Sequence, residues 1–183
     1  DGLIGDGDHG MNMNKGFTLF ETRFSGQDFS FTEGMDNLGN ILFSEIGGSM
    51  GPIYGTIFMD AADEGSDLEE ITVCDLARIL AAGLAGLQEI VEAQVGDKTL
   101  VDTLSPAVDS LRNSAAAGES FETALPKMKE AALSGRDSTK DMVAKFGRSS
   151  RLGERSRGVL DAGATSCCII LTAMADGILD VLQ

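Results

Sequence analysis

The chain has 183 residues, 43% of them hydrophobic, and carries a formal charge of −15. That length fits one domain with a sizeable core. A strongly acidic surface repels nucleic acid and anionic membranes, which argues against both as partners. No run approaches the roughly 18–20 uninterrupted apolar residues of a membrane helix, and no basic, apolar signal peptide opens the chain. The first residue falls inside a motif, so we expect an N-terminal segment, a whole helix, to be missing.

Helical periodicity dominates the sequence. The clearest helix starts at Thr72, an N-cap residue with Asp75 three positions later, and its apolar residues recur on one face as far as Val91. The last helix is apolar on most faces, and we expect it to be buried. Strand signals are weak, so the predicted fold class is all-α. The other helices are predicted at residues 13–24, 32–46, 52–63, 101–111, 121–128 and 138–146, and the last one at 164–182.

The three cysteines, Cys74, Cys167 and Cys168, all lie in apolar stretches. Their spacing matches neither a zinc site nor a redox pair. We therefore expect buried thiols in a reducing compartment, which indicates a cytoplasmic protein.

Four connections between the predicted helices are rich in glycine or charge and do not look like simple spacers. The chain has 23 glycines, and each costs up to about 1 kcal/mol in a helix interior. Glycines gathered in loops avoid that cost and let backbone N–H groups approach a ligand. The four connections cover residues 5–10, 47–51, 95–99 and 147–163.

Three carboxylates, Asp1, Asp6 and Asp8, lie within the first eight residues. They repel one another unless a cation neutralises them. The freedom of Gly7 lets the side chains on either side converge, and magnesium typically takes one or two carboxylates together with substrate phosphates. The alternatives are a calcium loop or plain helix caps, although the loop lacks the closing glutamate of an EF-hand. We favour a magnesium site linked to phosphate.

His9 is the only histidine and follows these aspartates directly. It could be a metal ligand, a base or a hydrogen-bond donor to a phosphate oxygen, and a lone histidine is more often structural. Asn12 and Asn14 follow at the start of a helix, where the N–H groups and the helix dipole favour an anion.

Two later connections offer further phosphate contacts. Residues 47–52 end in a proline suited to the first helical position. They could present backbone amides and the Ser49 hydroxyl to a phosphate, or they could form only a tight turn between helices. Residues 145–157 hold five of the fourteen basic residues. An arginine there could grip phosphate oxygens, or the loop could dock a partner or stay solvated. Asp161 is an N-cap for the last helix, and Gly163 leaves room for a flat ligand.

These motifs together resemble the nucleotide-binding L subunit of dihydroxyacetone kinase, in the bacterial form that depends on the phosphotransferase system. The resemblance covers nearly the whole chain, and its motifs follow in the family's order. They are DGLIGDGDHGMNMNKGF at residues 1–17, GGSMGPIYGT at 47–56, GDKT at 96–99, Arg148 with LGERS at 152–156, and DAGATS at 161–166.

The resemblance implies a barrel or bundle of about eight antiparallel amphipathic helices with the nucleotide site at one end, formed by residues 1–183 as a single domain. It implies that Asp1, Asp6 and Asp8 hold two Mg²⁺ ions against the diphosphate of ADP. Arg148 would neutralise charge during transfer, the one catalytic role assigned. Met50 replaces a serine of the family and Val91 a glycine. The implied nucleotide contacts are His9, Gly10, Met11, Asn12, Ser49, Met50, Leu100, Arg148, Asp161, Ala162 and Gly163.

The resemblance also implies two protein partners. A separate K subunit binds dihydroxyacetone, and a phosphohistidine protein of the phosphoenolpyruvate phosphotransferase system rephosphorylates ADP that stays bound. A division into subunits is chemically reasonable because phosphoryl transfer mainly needs alignment and charge neutralisation. Three alternatives remain open: an ATP-consuming dihydroxyacetone kinase domain, the nucleotide domain of a fatty-acid kinase, and a nucleotide-loaded regulatory module for a transcription factor.

Overall fold

Short polar motifs set where several helices begin. Ser30 and Glu33 form a reciprocal capping box, with the Ser30 Oγ accepting from the Glu33 amide at 3.2 Å. Thr72 and Asp75 form the same arrangement, as predicted from their spacing. The Asp161 carboxylate accepts from the Ala164 amide at 2.7 Å, which confirms its prediction as an N-cap.

The computed structural model describes residues 1–182, and within that range all regular secondary structure is helical. The all-α prediction is therefore confirmed. Seven α-helices are joined by loops and by two 3₁₀ segments, Thr139–Asp141 and Arg148–Ser156. The α-helices are α1 His9–Phe24, α2 Phe31–Glu45, α3 Met50–Glu64, α4 Val73–Ile90, α5 Val101–Ala116, α6 Phe121–Ser138 and α7 Ala162–Val181.

The prediction of a helix at residues 138–146 is wrong. Ser138 is the last residue of α6, only the 3₁₀ segment Thr139–Asp141 follows it, and the backbone is extended at Met142. Side chains that are distant in sequence form hydrogen bonds with the backbone groups that a helix would use. The Ala144 amide donates to Ser156 Oγ at 2.9 Å, and the Arg157 guanidinium donates to the Asp141 carbonyl. Sequence periodicity carries no information about such long-range hydrogen bonds.

Helix α3 begins earlier than its proline suggested. Ser49 is its N-cap and Met50 its first residue, so Pro52 lies third rather than first in the helix. The position is still tolerated because the first four N–H groups of a helix have no partner within it. The loop of residues 46–49 is correspondingly short.

By its internal contacts the chain divides into two compact units. One contains residues 8–71 and 78–92, and in it α2 packs closely along α3. Glycines permit that approach: a Cβ on Gly55 would lie 2.7 Å from Phe43 Cβ, and one on Gly39 would lie 3.1 Å from the Gly55 carbonyl oxygen. This unit buries Leu38, Ile41, Leu42, Tyr54, Ile57 and Phe58.

The other unit contains residues 1–7, 72–77 and the chain from residue 93 onward. Here α5 packs on α6 and on α7. A Cβ on Gly135 would lie only 2.1 Å from the Asp102 carbonyl oxygen, so α6 crosses close to the first turn of α5. Its core is formed by Val101, Leu104, Val108, Leu111, Leu125, Met128 and Leu171.

Helix α7 is buried on one face only, which corrects the expectation that the whole helix is buried. Cys167 and Cys168 are buried, whereas Ile169 is 63% exposed. The helix is long and apolar enough to cross a membrane by length and composition alone, a test that core helices of soluble proteins also pass. The expectation of three buried thiols fails at Cys74, which is exposed.

Candidate functional site

The opening loop turns its three aspartates toward one another. The amides of Ile4 and Gly5 donate to the Asp1 carbonyl at 3.1 and 2.7 Å, which closes a tight turn. Gly7 has φ +79°, a left-handed conformation that favours glycine. One carboxylate oxygen from each of Asp1, Asp6 and Asp8 lies within 4.8 Å of the others. The convergence expected from the spacing is thus present.

Two details of this loop fit a divalent cation. A Cβ on Gly5 would lie 1.9 Å from Asp1 Oδ1, so the absence of a side chain there creates the space that this carboxylate occupies. Asp8 is the N-cap of α1, but its side chain makes no capping hydrogen bond within residues 1–182. Its carboxylate is therefore not committed to the helix. Three convergent carboxylates match the hard oxygen ligands that magnesium and calcium prefer.

Arg148 reaches the same loop. It opens the 3₁₀ segment Arg148–Ser156, directly after Gly147 with φ +68°. Its guanidinium pairs with the Asp6 carboxylate, and its side chain remains 62% exposed. An exposed guanidinium at the edge of a carboxylate cluster is free to shift onto a phosphate oxygen.

His9, Gly10, Met11 and Asn12 form the first turn of α1. Burial is the largest influence on His9 and lowers its pKa, while the charge of Asp8 opposes that shift. Burial therefore favours the neutral imidazole. Met11 is 70% exposed.

Ser49 and Met50 mark the start of α3 within their own unit. Gly48 before them has φ +72°. The Ser49 side chain makes no capping hydrogen bond to any residue of the described chain. Its hydroxyl lies at a helix N-terminus, where the N–H groups favour an anion.

The remaining predicted nucleotide contacts lie at the N-termini of α5 and α7, which are close to each other. Leu100 is the N-cap of α5, and Asp161 is the N-cap of α7 ahead of Ala162 and Gly163. A Cβ on Gly163 would lie 3.4 Å from Leu100 Cβ. Burial raises the pKa of Asp161, whereas the Ala164 amide and the Lys98 charge lower it.

Comparison with known proteins identifies the family. The model of the DAK2 domain matches residues 3–176, nearly the full chain. The chain belongs to the DAK2 domain family. The ADP-binding subunit DhaL of the PEP-dependent dihydroxyacetone kinase of Escherichia coli (strain K12) is 38% identical over 175 residues, which cover 94% of this chain and 82% of that protein.

Two further relatives agree with this assignment. The ADP-binding subunit DhaL of PEP-dependent dihydroxyacetone kinase 1 of Listeria innocua is 35% identical over 95% of this chain and 82% of that protein. The native crystal structure of the dihydroxyacetone kinase of C. freundii matches 97% of this chain with a TM-score of 0.73. At 23% identity that likeness concerns the fold alone, and this DAK2 chain spans 30% of that protein.

The structure of this DAK2 domain also contains a charged network that the sequence did not predict. Lys98 is 1% exposed and donates to the Thr139 and Val159 carbonyls. The Asp102 carboxylate accepts from the Gly96 amide at 2.6 Å and from the Thr99 amide at 2.8 Å. The glycine and charge of residues 95–99 marked this connection as unusual, but burial of its lysine had no signal in the sequence.

Proposed function

We propose that this chain is the ADP-binding subunit of a multi-subunit dihydroxyacetone kinase, a phosphotransferase. Membership of the DAK2 domain family and the names of its relatives support this function. The observation that carries it is the convergence of the Asp1, Asp6 and Asp8 carboxylates. A diphosphate brings negative charge to a strongly acidic protein, and a divalent cation between the two removes the repulsion.

In this proposal Asp1, Asp6 and Asp8 would hold Mg²⁺, two ions by family resemblance, which would supply positive charge for the diphosphate of ADP. Arg148 moves from Asp6 to the transferring phosphoryl group and balances its charge. The remaining nucleotide contacts are assigned by family resemblance. Those contacts are His9, Gly10, Met11, Asn12, Ser49, Met50, Leu100, Asp161, Ala162 and Gly163. No side chain of this set needs to act as a nucleophile.

The proposal includes two partners and a compartment. The phosphoryl group comes from a phosphohistidine protein of the phosphotransferase system and passes to dihydroxyacetone on the K subunit. Residues 1–183 act as a single nucleotide-binding domain in the cytoplasm. ADP remains bound through the cycle as a cofactor. Purified protein should therefore retain ADP through gel filtration in magnesium buffer, and mass spectrometry of the released nucleotide would separate ADP from ATP.

The sharpest test is Asp8→Asn. Asparagine is as good an N-cap as aspartate, so helix α1 is preserved, and the Arg148–Asp6 pair is untouched. We expect calorimetry in magnesium buffer to show a loss of ADP affinity of at least about ten-fold, because one charged metal ligand is gone. Phosphorylation of dihydroxyacetone with the K subunit and the donor protein should fall with it.

The matched control is Asp67→Asn, which removes the same charge from an exposed aspartate in the connection between α3 and α4. Its ADP affinity should equal that of the native chain. Equal loss in both variants would assign the effect to overall charge. Unchanged binding and activity in Asp8→Asn would reject the metal site.

A further inference from the structure

Lys98 is a buried lysine whose ammonium is hydrogen-bonded to the backbone of two other segments. It is 1% exposed, and its ammonium donates to the carbonyl oxygens of Thr139 and Val159, which are 41 and 61 residues away in sequence. Its own backbone has φ +63°, in the left-handed region that a lysine seldom adopts. A strained backbone and a buried charge at one residue indicate that the surrounding structure holds this side chain in place.

Burial opposes the charge of Lys98 and lowers its pKa, while the carboxylates of Asp161, Asp141 and Asp102 oppose that shift. A buried ammonium is costly unless hydrogen bonds and opposite charges compensate it. Here both are present. The ammonium therefore stays tied to the groups that compensate its charge.

The two carbonyls that Lys98 binds stand at the two ends of one loop. Thr139 precedes the segment that carries Arg148, and Val159 follows it. Thr139 also accepts, through Oγ1, a hydrogen bond from the Asp161 amide at 3.0 Å. One side chain thus fixes the base of the Arg148 loop and the start of helix α7 together.

A second contact from the same connection supports the same loop. Asp97, next to Lys98, pairs with Lys145 Nζ at 2.6 Å, and its carbonyl accepts from the Lys145 amide at 3.2 Å. Lys145 lies three residues before Arg148. The GDKT connection therefore holds the loop at its base through Lys98 and on its near side through Asp97.

We propose that Lys98 is a positioning residue for nucleotide binding: it ties the Arg148 loop to the N-terminus of helix α7 and so sets the affinity for ADP without contacting it. This inference rests on the proposed function, because it takes Arg148 and Asp161–Gly163 as nucleotide contacts. Removing the ammonium lets those two groups move apart, and each then meets the ligand less often in the binding geometry.

The test is Lys98→Met in the full chain, with Lys129→Met as its matched control. Lys129 bridges α6 to Asp176 of α7 on the surface of the same unit, so the control removes a lysine without touching the loop. Calorimetry with ADP in magnesium buffer should show about a ten-fold loss of affinity for Lys98→Met, the size expected for one buried charged hydrogen-bond donor. Lys129→Met should bind as the native chain does.

Two further readouts separate positioning from general destabilisation. With the partner proteins supplied, the ADP concentration for half-maximal rate should rise in Lys98→Met and stay native in Lys129→Met. Hydrogen exchange should speed up in residues 140–164 and stay unchanged in α2 and α3. Equal affinity in a folded Lys98→Met variant would overturn the proposal.

Binding of ADP by the native chain distinguishes a failure of this inference from a failure of the proposed function. If the native chain binds no ADP with Mg²⁺, the proposed function fails. If it binds and Lys98→Met binds equally, only the role of Lys98 fails. Should Lys98→Met not fold, Lys98→Asn suits the left-handed backbone better and replaces it in every assay. If both variants unfold even with ADP and Mg²⁺ present, Lys98 is a folding residue and the proposal is rejected.

Discussion

The opening loop and the Lys98 network both gather charge, but they do so in opposite ways. In the loop, like charges from three aspartates converge near the surface within eight residues. Around Lys98, one buried cation donates to carbonyls from two distant segments. Convergent like charges repel one another, so a cation that binds among them is favoured. A buried charge that donates to backbone carbonyls acts on the positions of those partners.

The same contrast appears in the glycines of the two regions. At Gly135, beneath the network, an added Cβ would lie 2.1 Å from the Asp102 backbone carbonyl oxygen. At Gly5, in the loop, it would meet the Asp1 carboxylate, which can rotate away. Substitution of glycine by alanine should therefore lower the stability of the fold at Gly135 and the ligand affinity at Gly5.

The largest expected effect is that of Gly135→Ala. Backbone cannot yield to the new methyl group, so α6 must shift from α5, and we expect a loss of about 3 kcal/mol in the free energy of unfolding. Thermal denaturation should show a midpoint lower by roughly 10 °C. Gly177→Ala is the control, since a Cβ there meets nothing in the described chain within 4 Å and helix propensity favours alanine. A native midpoint in Gly135→Ala would contradict the close packing.

Gly5→Ala should have the next largest effect, on metal binding alone. The new methyl group displaces the Asp1 carboxylate, so the affinity for Mg²⁺ with ADP should fall roughly ten-fold. The melting midpoint without ligand should stay native. Gly2→Ala in the same loop, where a Cβ meets nothing within 4 Å, should change neither quantity. A lowered midpoint with native affinity in Gly5→Ala would show that the loop is structural.

The contrast also explains what could be predicted from the sequence. Helix caps such as Thr72 with Asp75 depend on residues three apart, and they were predicted correctly. The convergence of the aspartates is equally local. Metal binding by these residues stays a prediction, as do the nucleotide contacts assigned through the family resemblance.

What the sequence did not predict depends on contacts between distant segments. The helix expected at residues 138–146 is lost because Ser156 and Arg157 take its backbone groups. The exposed face of α7, with Ile169 in it, follows from which helices pack against it, and an all-round apolar pattern does not specify that. The burial of Lys98 belongs to the same class.

The smallest expected effect concerns the ion pair beside Lys98. Lys145 is the main cause of the lowered pKa of Asp97, with the Gln94 amide adding to it. A carboxyl with a lowered folded pKa stabilises the native state above its ordinary pKa near 3.8, and that stabilisation is lost as the pH falls through the folded value. Lys145 is 64% exposed, so the pair contributes less than about 1 kcal/mol.

Urea denaturation of the native chain and of Lys145→Met should therefore differ slightly at pH 7, and the difference should vanish in acid. The other carboxylates titrate alike in both proteins and cancel, so a difference that persists unchanged at pH 3 would mean that Lys145 acts through packing of its stem.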